Sequence, residues 1–182
     1  GKVSVINGEF TFSFIVPKDI SYNYGVGRIS YYAEDGQTNA NGYYENEHFI
    51  IGGTSNLILN DSKGPDMELY LNDTNFVFGG TTDENPVLIA HLNDISGINT
   101  AGNGIGHDIV AVIDDNTDRS VVLNDYYEAD LDSYQTGKVR YPFAKISDGM
   151  HTLKLKVWNI YNNSTEKIIE FIVAKSGDIA LT

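Results

Sequence analysis

The chain has 182 residues, no cysteine, and 25 acidic against 12 basic side chains, for a formal net charge of -13. This length allows one large β domain or two small ones, and the lack of cysteine excludes disulfides and thiol catalysis. The negative charge argues against nucleic acid or an anionic membrane as a partner, and no apolar run reaches the ~18 residues of a membrane helix.

The first predicted strand covers residues 8–16, where Phe10, Phe12 and Phe14 alternate with more polar residues. A period of two predicts a half-buried strand with a phenylalanine face. Because this pattern begins almost at once and no signal peptide precedes it, we expect the chain to be a fragment of a longer one. A second strand is predicted at residues 28–33, followed by a long polar loop at residues 34–47.

Two short strands are predicted at residues 48–51 and 57–59. The segment 60–65 is polar and ends in Gly64-Pro65, which cannot continue a strand ladder, so we place the main boundary there. We predict that the chain has three parts. They are a β unit at residues 1–62 that lacks upstream strands, a second unit at 63–175, and a linker at 176–182.

The second unit is predicted to be an immunoglobulin-like β-sandwich, which makes the chain all-β. About seven strands are predicted, at the spacing typical of such folds, over residues 66–72, 87–92, 109–113, 119–123, 137–143, 151–158 and 166–173. No helix is predicted beyond a single turn within residues 126–134. The residues predicted to form the core are Leu88, Leu92, Ile109, Ile113, Leu155, Val157 and Phe171.

The centre of this unit is a strand, a glycine-rich loop and a strand, at residues 85–114. The loop opens no helix and has no following lysine, so it is not a phosphate loop. We predict that Gly104 and Gly106 let it bend tightly. His107 could bridge two backbone groups and Asp108 could accept backbone N–H groups, which would order the loop. His107 and Asp108 also have the residue types for acid–base chemistry, but no nucleophile motif accompanies them, so no catalytic residue is predicted.

Acidic residues are dense between residues 83 and 132, where eleven face a single basic residue, Arg119. Clustered carboxylates and loop carbonyls are ligands for calcium, and the predicted set is Asp94, Asp108 and Asp125. The other interpretation is a solvated acidic face with turn-forming aspartates. No other cofactor is predicted.

Many tyrosines lie in or beside predicted loops, where exposed rings can stack on sugars or form protein interfaces. In sandwiches such rings also plug the ends of the core. Trp158 falls on the lysine-bearing face of its strand. It therefore either lies in a contact with another domain or packs onto the core.

Several segments resemble one protein family. They are GEFTFSFIVPKDI at 8–20, GRISYYA at 27–33, LYLND at 69–73, DISGINT at 94–100, GIGHDI at 104–109, LNDYY at 123–127 and LKLKVW at 153–158. Together they are similar, over nearly the whole chain, to part of the type IX secretion system sortases of Bacteroidetes. These sortases are gingipain-like cysteine peptidases that remove the sorting domain of secreted cargo. The similar part lies between their peptidase domain and their C-terminal sorting domain.

This resemblance implies a noncatalytic accessory region at the outer-membrane surface of a Gram-negative bacterium. The implied partners are the peptidase and sorting domains of the same parent chain and other secretion-system proteins, without nucleic acid and without membrane insertion. The family's catalytic Cys and His lie in the peptidase domain, so no catalytic residue is carried over to this chain. Two other classes stay open, a carbohydrate-binding or adhesive surface module and an independent enzyme.

Overall fold

The computed structural model describes residues 1–17, 23–53, 61–101 and 106–174, apart from the side chains at 46 and 47. Within these ranges the chain is almost entirely β, as predicted. The strands are β1 Gly25–Glu34, β2 Asn39–Ile51, β3 Asp66–Leu71, β4 Gly80–Thr82, β5 Val87–Asn93, β6 Val110–Ile113, β7 Val121–Val122, β8 Tyr127–Ala129, β9 Thr136–Pro142, β10 Gly149–Trp158 and β11 Ser164–Val173. Two 3-10 turns cover Thr117–Arg119 and Asn124–Tyr126. Among the described residues, no helix has the length and apolar character needed to span a bilayer.

Strands β3 to β11 form a two-sheet sandwich. One sheet has the order β3-β5-β9-β8 and the other the order β4-β11-β10-β6-β7. Neighbouring strands are antiparallel except for β4, which pairs in parallel with β11 at the edge of its sheet. In chain order, the first, third, seventh and sixth strands of the unit thus share one sheet, and the second strand, β4, lies at the edge of the other. That is the immunoglobulin arrangement, which confirms the predicted fold class.

The core lies between the two sheets and follows the alternation of the sequence. Leu153, Leu155 and Val157 on β10 are fully buried, and Phe171 on β11 is 1% exposed. Six of the seven predicted core residues are buried, namely Leu88, Leu92, Ile109, Leu155, Val157 and Phe171. Ile113 is only partly buried against this core, because it is the last residue of β6 and lies at the rim, where the chain turns.

The predicted strand at residues 8–16 is wrong. Within the described residues, no part of 10–17 belongs to a strand, and Phe10, Phe12 and Phe14 are 42%, 40% and 52% exposed. A period-two pattern defines two faces, but a strand also needs a partner for its backbone and a layer to cover its apolar face. Neither is supplied here by the described chain.

The predicted polar loop at residues 34–47 is also wrong. The chain turns tightly after Glu34, where Oδ1 of Asp35 accepts the N–H groups of Gln37 and Thr38 at 2.9 and 2.7 Å. Strand β2 then pairs with β1 in a separate two-stranded sheet. Both strands are mostly exposed, so β2 carries no strong apolar alternation that would have revealed it. The predicted strand at 48–51 is the end of β2, whereas 57–59 lies outside the described residues.

Four short elements of the sandwich differ from the prediction. The strand predicted at 119–123 is a 3-10 turn followed by β7, which has two residues. The single helical turn predicted within 126–134 lies earlier, as the 3-10 turn Asn124–Tyr126, and the start of that range forms β8. Strands β4 and β8 were not predicted, because three residues are too few to show a period. The three predicted domain limits stay predictions.

Residues near the start of the chain contact the sandwich beyond β8. Lys2 forms a parallel bridge with Leu131, and its ammonium group pairs with Glu128. The Ser4 N–H and hydroxyl both donate to the Asp132 carboxylate, at 2.6 and 2.7 Å. The N–H donation is the largest contribution to a lowered pKa of Asp132. This segment therefore lies along the edge of the β3-β5-β9-β8 sheet.

Candidate functional site at the loop end of the sandwich

Four connections meet at one end of the sandwich, because the antiparallel registers of β5 with β9 and of β10 with β11 bring these strand ends together. They are residues 61–65, the described residues of the glycine-rich loop (94–101 and 106–109), 130–135 and 159–163. The Asp94 N–H donates to the Gln135 carbonyl at 2.9 Å, and the Asn99 N–H donates to the Trp158 carbonyl at 2.9 Å. The glycine-rich loop is thereby bonded to the connection before β9 and to the last residue of β10. We call this region the loop end.

Asn159, the first residue after β10, is fully buried at the loop end. Its side-chain oxygen accepts the N–H groups of Tyr161 and Asn163, both at 3.0 Å. These two donors fix the orientation of the amide, with the oxygen toward them and the nitrogen away. Sequence reasoning missed this residue. The Asn162-Asn163 turn was its only signal, and a turn former in sequence looks the same as a buried amide.

The side-chain nitrogen of Asn159 faces three oxygens. They are Oδ2 of Asp61 at 3.1 Å, the carbonyl of Lys63 at 3.0 Å and Oδ2 of Asp94 at 3.1 Å. An amide nitrogen carries only two hydrogens, so three acceptors share two donors. Asn159 thus connects the segment entering β3, the loop after β5 and the loop after β10, and it holds two carboxylates in place.

A cleft of about 380 Å³ opens beside this network. Lys63 bonds to Asp66 at 2.7 Å across its mouth, but both side chains are largely exposed and the pair adds little stability. Ile95 at the rim is 80% exposed. With three carboxylates and one ammonium group, the cleft is suited to a polar group of positive charge. Its lining residues are Asp61, Lys63, Gly64, Asp66, Asn93, Asp94, Ile95 and Gln135.

The three aspartates predicted to bind calcium lie in separate surroundings. Asp94 is buried and accepts the Ser96 N–H at 2.8 Å, besides its bond to Asn159. Asp108 accepts the Asn124 side-chain N–H at 2.8 Å, and Asp125 is exposed. Among the residues that the structure describes, no three His, Asp or Glu side chains converge on a point that could hold a metal ion. Calcium binding by these residues stays a prediction.

The four residues predicted to organise the glycine-rich loop, Gly104, Gly106, His107 and Asp108, differ in their surroundings. Asp108 is hydrogen-bonded to Asn124, whose side-chain oxygen also accepts the Ile109 N–H at 2.8 Å. Gly106 has a φ of 85°, the left-handed conformation that glycine adopts without strain. Gly104 lies outside the described residues. The sequence predicted backbone N–H groups as the partners of Asp108; the bond in the structure comes instead from the side chain of Asn124, which the β6–β7 pairing brings opposite Asp108.

His107 is half-buried against Trp158, with the ring centroids 4.4 Å apart. The Lys156 ammonium lies 4.9 Å from the centre of the same indole. Trp158 is on the outer face of its sheet, half-buried beneath these two side chains rather than in the core. The structure therefore gives His107 an aromatic partner that the sequence pattern did not indicate.

A second polar cluster lies at the opposite end of the sandwich, around buried His151. Its Nδ1 is 2.7 Å from Oδ2 of Asp114, and its Nε2 is 2.8 Å from the Ser147 carbonyl. Both neighbours are acceptors, so the protonated ring, which carries hydrogens on both nitrogens, satisfies both contacts at once. Asp114 begins a turn with positive φ, and its other oxygen accepts the Thr152 N–H at 2.9 Å.

We expect the stability of this protein to fall as the pH rises above about 6.5 because of His151. Burial alone lowers the pKa of His151, but the hydrogen bonds to Asp114 and Ser147 and the charge of Asp114 outweigh it, so the pKa is raised above 6.5. A histidine whose pKa is higher in the folded than in the unfolded protein stabilises the folded state. This contribution is fully present below pH ~6.5, the unfolded-state pKa, and it is lost as the pH rises through the folded-state pKa. Urea unfolding between pH 5.5 and 8.5 would measure it.

The variant His151→Gln should lose this part of the pH dependence, whereas His91→Gln, at an exposed histidine beside Glu68, should keep it. Equal pH profiles for the wild type and His151→Gln would show that the ring is not held as a cation.

Comparison with known proteins gives one informative match. The structure is similar to dimeric latent PorU from Porphyromonas gingivalis, with a TM-score of 0.64 and 32% identity over 94% of this chain. The chain spans 16% of the length of that protein. A fold likeness combined with this identity over nearly the whole chain supports a PorU-like module.

A second solved structure, the endo-beta-1,4-mannanase from Thermotoga petrophila, aligns with 64% of this chain and 21% of its own, at a TM-score of 0.41 and 14% identity. A likeness at this level carries no functional information. No protein-family model and no curated protein sequence matches the chain.

Proposed function

We propose that this PorU-like chain is a noncatalytic β-sandwich region of a cell-surface cysteine peptidase that acts as a sortase in type IX secretion and cargo maturation. The observation that carries the proposal is the match of 94% of the chain, at 32% identity, to a segment that makes up 16% of PorU. The sequence motifs support the same proposal, because their resemblance to these sortases covers both the first β unit and the sandwich.

In this role the chain supports or docks the peptidase domain and the sorting domain of its parent protein, outside the cell at the outer membrane. The loop end has the properties of a docking surface. Its connections are hydrogen-bonded to one another, and its cleft carries three carboxylates. A preformed acidic surface binds a basic partner patch without a large cost of ordering, and it favours fast association.

Deleting residues 63–175 from the parent protein tests this role. We expect cargo to keep its sorting domain, while the peptidase domain still cleaves a small peptide substrate. The retained peptide cleavage is the control, since it shows that the peptidase domain has folded. Normal cargo maturation after the deletion would exclude an accessory role.

We expect the isolated chain to have no peptidase activity. A thiol nucleophile is absent from the sequence, and no serine has a recognisable base and orienting acid in its motif context. Incubating the purified chain with a sorting-domain substrate, with the parent peptidase as positive control, would measure this. Cleavage that persists in the presence of a cysteine-peptidase inhibitor would contradict the prediction.

A carbohydrate-binding or adhesive module is the second candidate, and exposed tyrosines of the hairpin favour it. Tyr32 and Tyr43 lie on the same face of the β1–β2 sheet and are 60% and 62% exposed. The Arg28 guanidinium lies 4.4 Å from the Tyr43 ring centre, which leaves Tyr32 as the freer stacking surface. Binding on a glycan array that is lost in Tyr32→Ala would support this function over the first.

A further inference from the structure

The most prominent unassigned feature is a row of exposed apolar side chains, Phe10, Phe12, Phe14 and Val16, which we call the phenylalanine row. Its rings are stacked nearly parallel, with centroids 6.3 Å apart for Phe10 and Phe12 and 5.9 Å apart for Phe12 and Phe14. All four side chains are at least 40% exposed. Single exposed apolar residues are common, but a contiguous row of this kind marks an interaction surface.

The row continues onto the hairpin. Phe10 contacts Tyr31 edge-on, with the centroids 5.7 Å apart. The β1–β2 register places Tyr31 on the same face as the cross-strand pairs Ile29–Tyr44 and Ala33–Ala40. A two-stranded sheet is marginally stable by itself, and this one presents its apolar face to solvent. The row and the hairpin face therefore form one apolar surface.

The backbone beside the row can also accept a partner. Within the described residues, no part of 10–17 takes part in a strand ladder, although the side chains alternate with a period of two. A segment that belongs to no strand ladder within the described chain and carries one apolar face is a template for another strand. The geometry thus favours an extended peptide over a helix or a small molecule.

The charge of this surface restricts which extended peptides can bind to it. Among the described side chains of residues 1–53, four are acidic, Glu9, Glu34, Asp35 and Glu45. The two basic side chains described there already have partners, since Lys2 pairs with Glu128 and Arg28 lies over the Tyr43 ring. A strand with neutral or basic flanks complements this surface, and an acidic one is repelled.

We propose that the phenylalanine row and the adjoining hairpin face bind an extended, alternately apolar strand from another part of the same longer polypeptide. This rests on the proposed function, which makes the chain one module of a longer protein. The matched protein supports such a source, because the corresponding region takes up 16% of it and most of its residues lie elsewhere. A partner within the same chain also covers the row permanently, which protects it from aggregation.

Photo-crosslinking in the full parent protein tests the proposal. Benzoylphenylalanine in place of Phe12 should crosslink to a segment of the same polypeptide outside residues 1–182, with the monomer mass unchanged. Benzoylphenylalanine in place of Ser13, which alternates with the row in sequence, is the matched control and should crosslink there much less. The readout does not require activity, so it is independent of whether the parent is a sortase.

A synthetic peptide of the crosslinked segment should then bind the isolated chain. Phe12→Asp should weaken this binding by about tenfold or more, and Ser13→Asp by less than about twofold. A crosslink at twice the monomer mass would identify a second copy as the occupant, and a crosslink to a different protein would identify a separate partner. Either result, or no crosslink at Phe12, would overturn the proposal.

Discussion

Replacing Asn159 with Asp will lower the free energy of unfolding by about 3–5 kcal/mol, the range for a buried charge left without its partner. The change keeps the shape of the side chain but turns the donor nitrogen into a negatively charged oxygen. That oxygen would face the Asp61 and Asp94 carboxylates and the Lys63 carbonyl at 3.0–3.1 Å. Three carboxylates and one carbonyl oxygen would then meet without the two hydrogens that now lie between them.

Urea unfolding of the purified chain, followed by far-UV circular dichroism, measures this loss. Asn116→Asp is the matched control, because Asn116 is exposed and its side chain caps no helix. Its effect should stay within about 0.5 kcal/mol. A similar small effect for Asn159→Asp would show that the loop end is not organised around this amide.

Leu155→Ala will destabilise the sandwich by about 2–5 kcal/mol, the range for a buried leucine replaced by alanine. Leu155 is fully buried and lies in the middle of β10, which is paired on one side with β11 and on the other with β6. Neighbours held by two ladders cannot move far to fill the space. The change therefore leaves a cavity as well as losing apolar burial.

The same unfolding measurement applies, with Leu131→Ala as the matched control. Leu131 is 62% exposed, so the identical deletion of atoms should cost little there. Comparable losses for the two variants would place Leu155 outside the core.

The sandwich was predictable because its long strands repeat one simple pattern. On β10, Leu153, Leu155 and Val157 alternate with Lys154 and Lys156, and only one side of a strand can face a core. The shorter strands β4, β7 and β8 were harder to predict from the sequence, since two or three residues cannot show a period. Their existence depends on the neighbours that they pair with.

The candidate site was predictable in part. The loop between β5 and β6 was recognised from its glycines. Asp108 in this loop accepts a hydrogen bond from the side chain of Asn124, which lies after β7, and its role in ordering the loop stays a prediction. Asn159 was not recognised, because its five hydrogen-bond partners are spread over three connections that are far apart in the sequence. The partner of His107 was missed for the same reason, since Trp158 lies on a strand fifty-one positions later.

The sequence by itself determined the all-β class, the alternating core strands and the position of the glycine-rich loop, because these follow from local periodicity and backbone preference. Only the tertiary structure decided which segments become strands. The alternating segment 8–16 joined no strand within the described chain, whereas most of the polar segment 34–47 became part of the long hairpin strand β2. The tertiary structure also decided that Asn159, Asp61 and Asp94 meet. The physical reason is that hydrogen-bond partners and covering layers come from distant parts of the chain, and no local pattern records them.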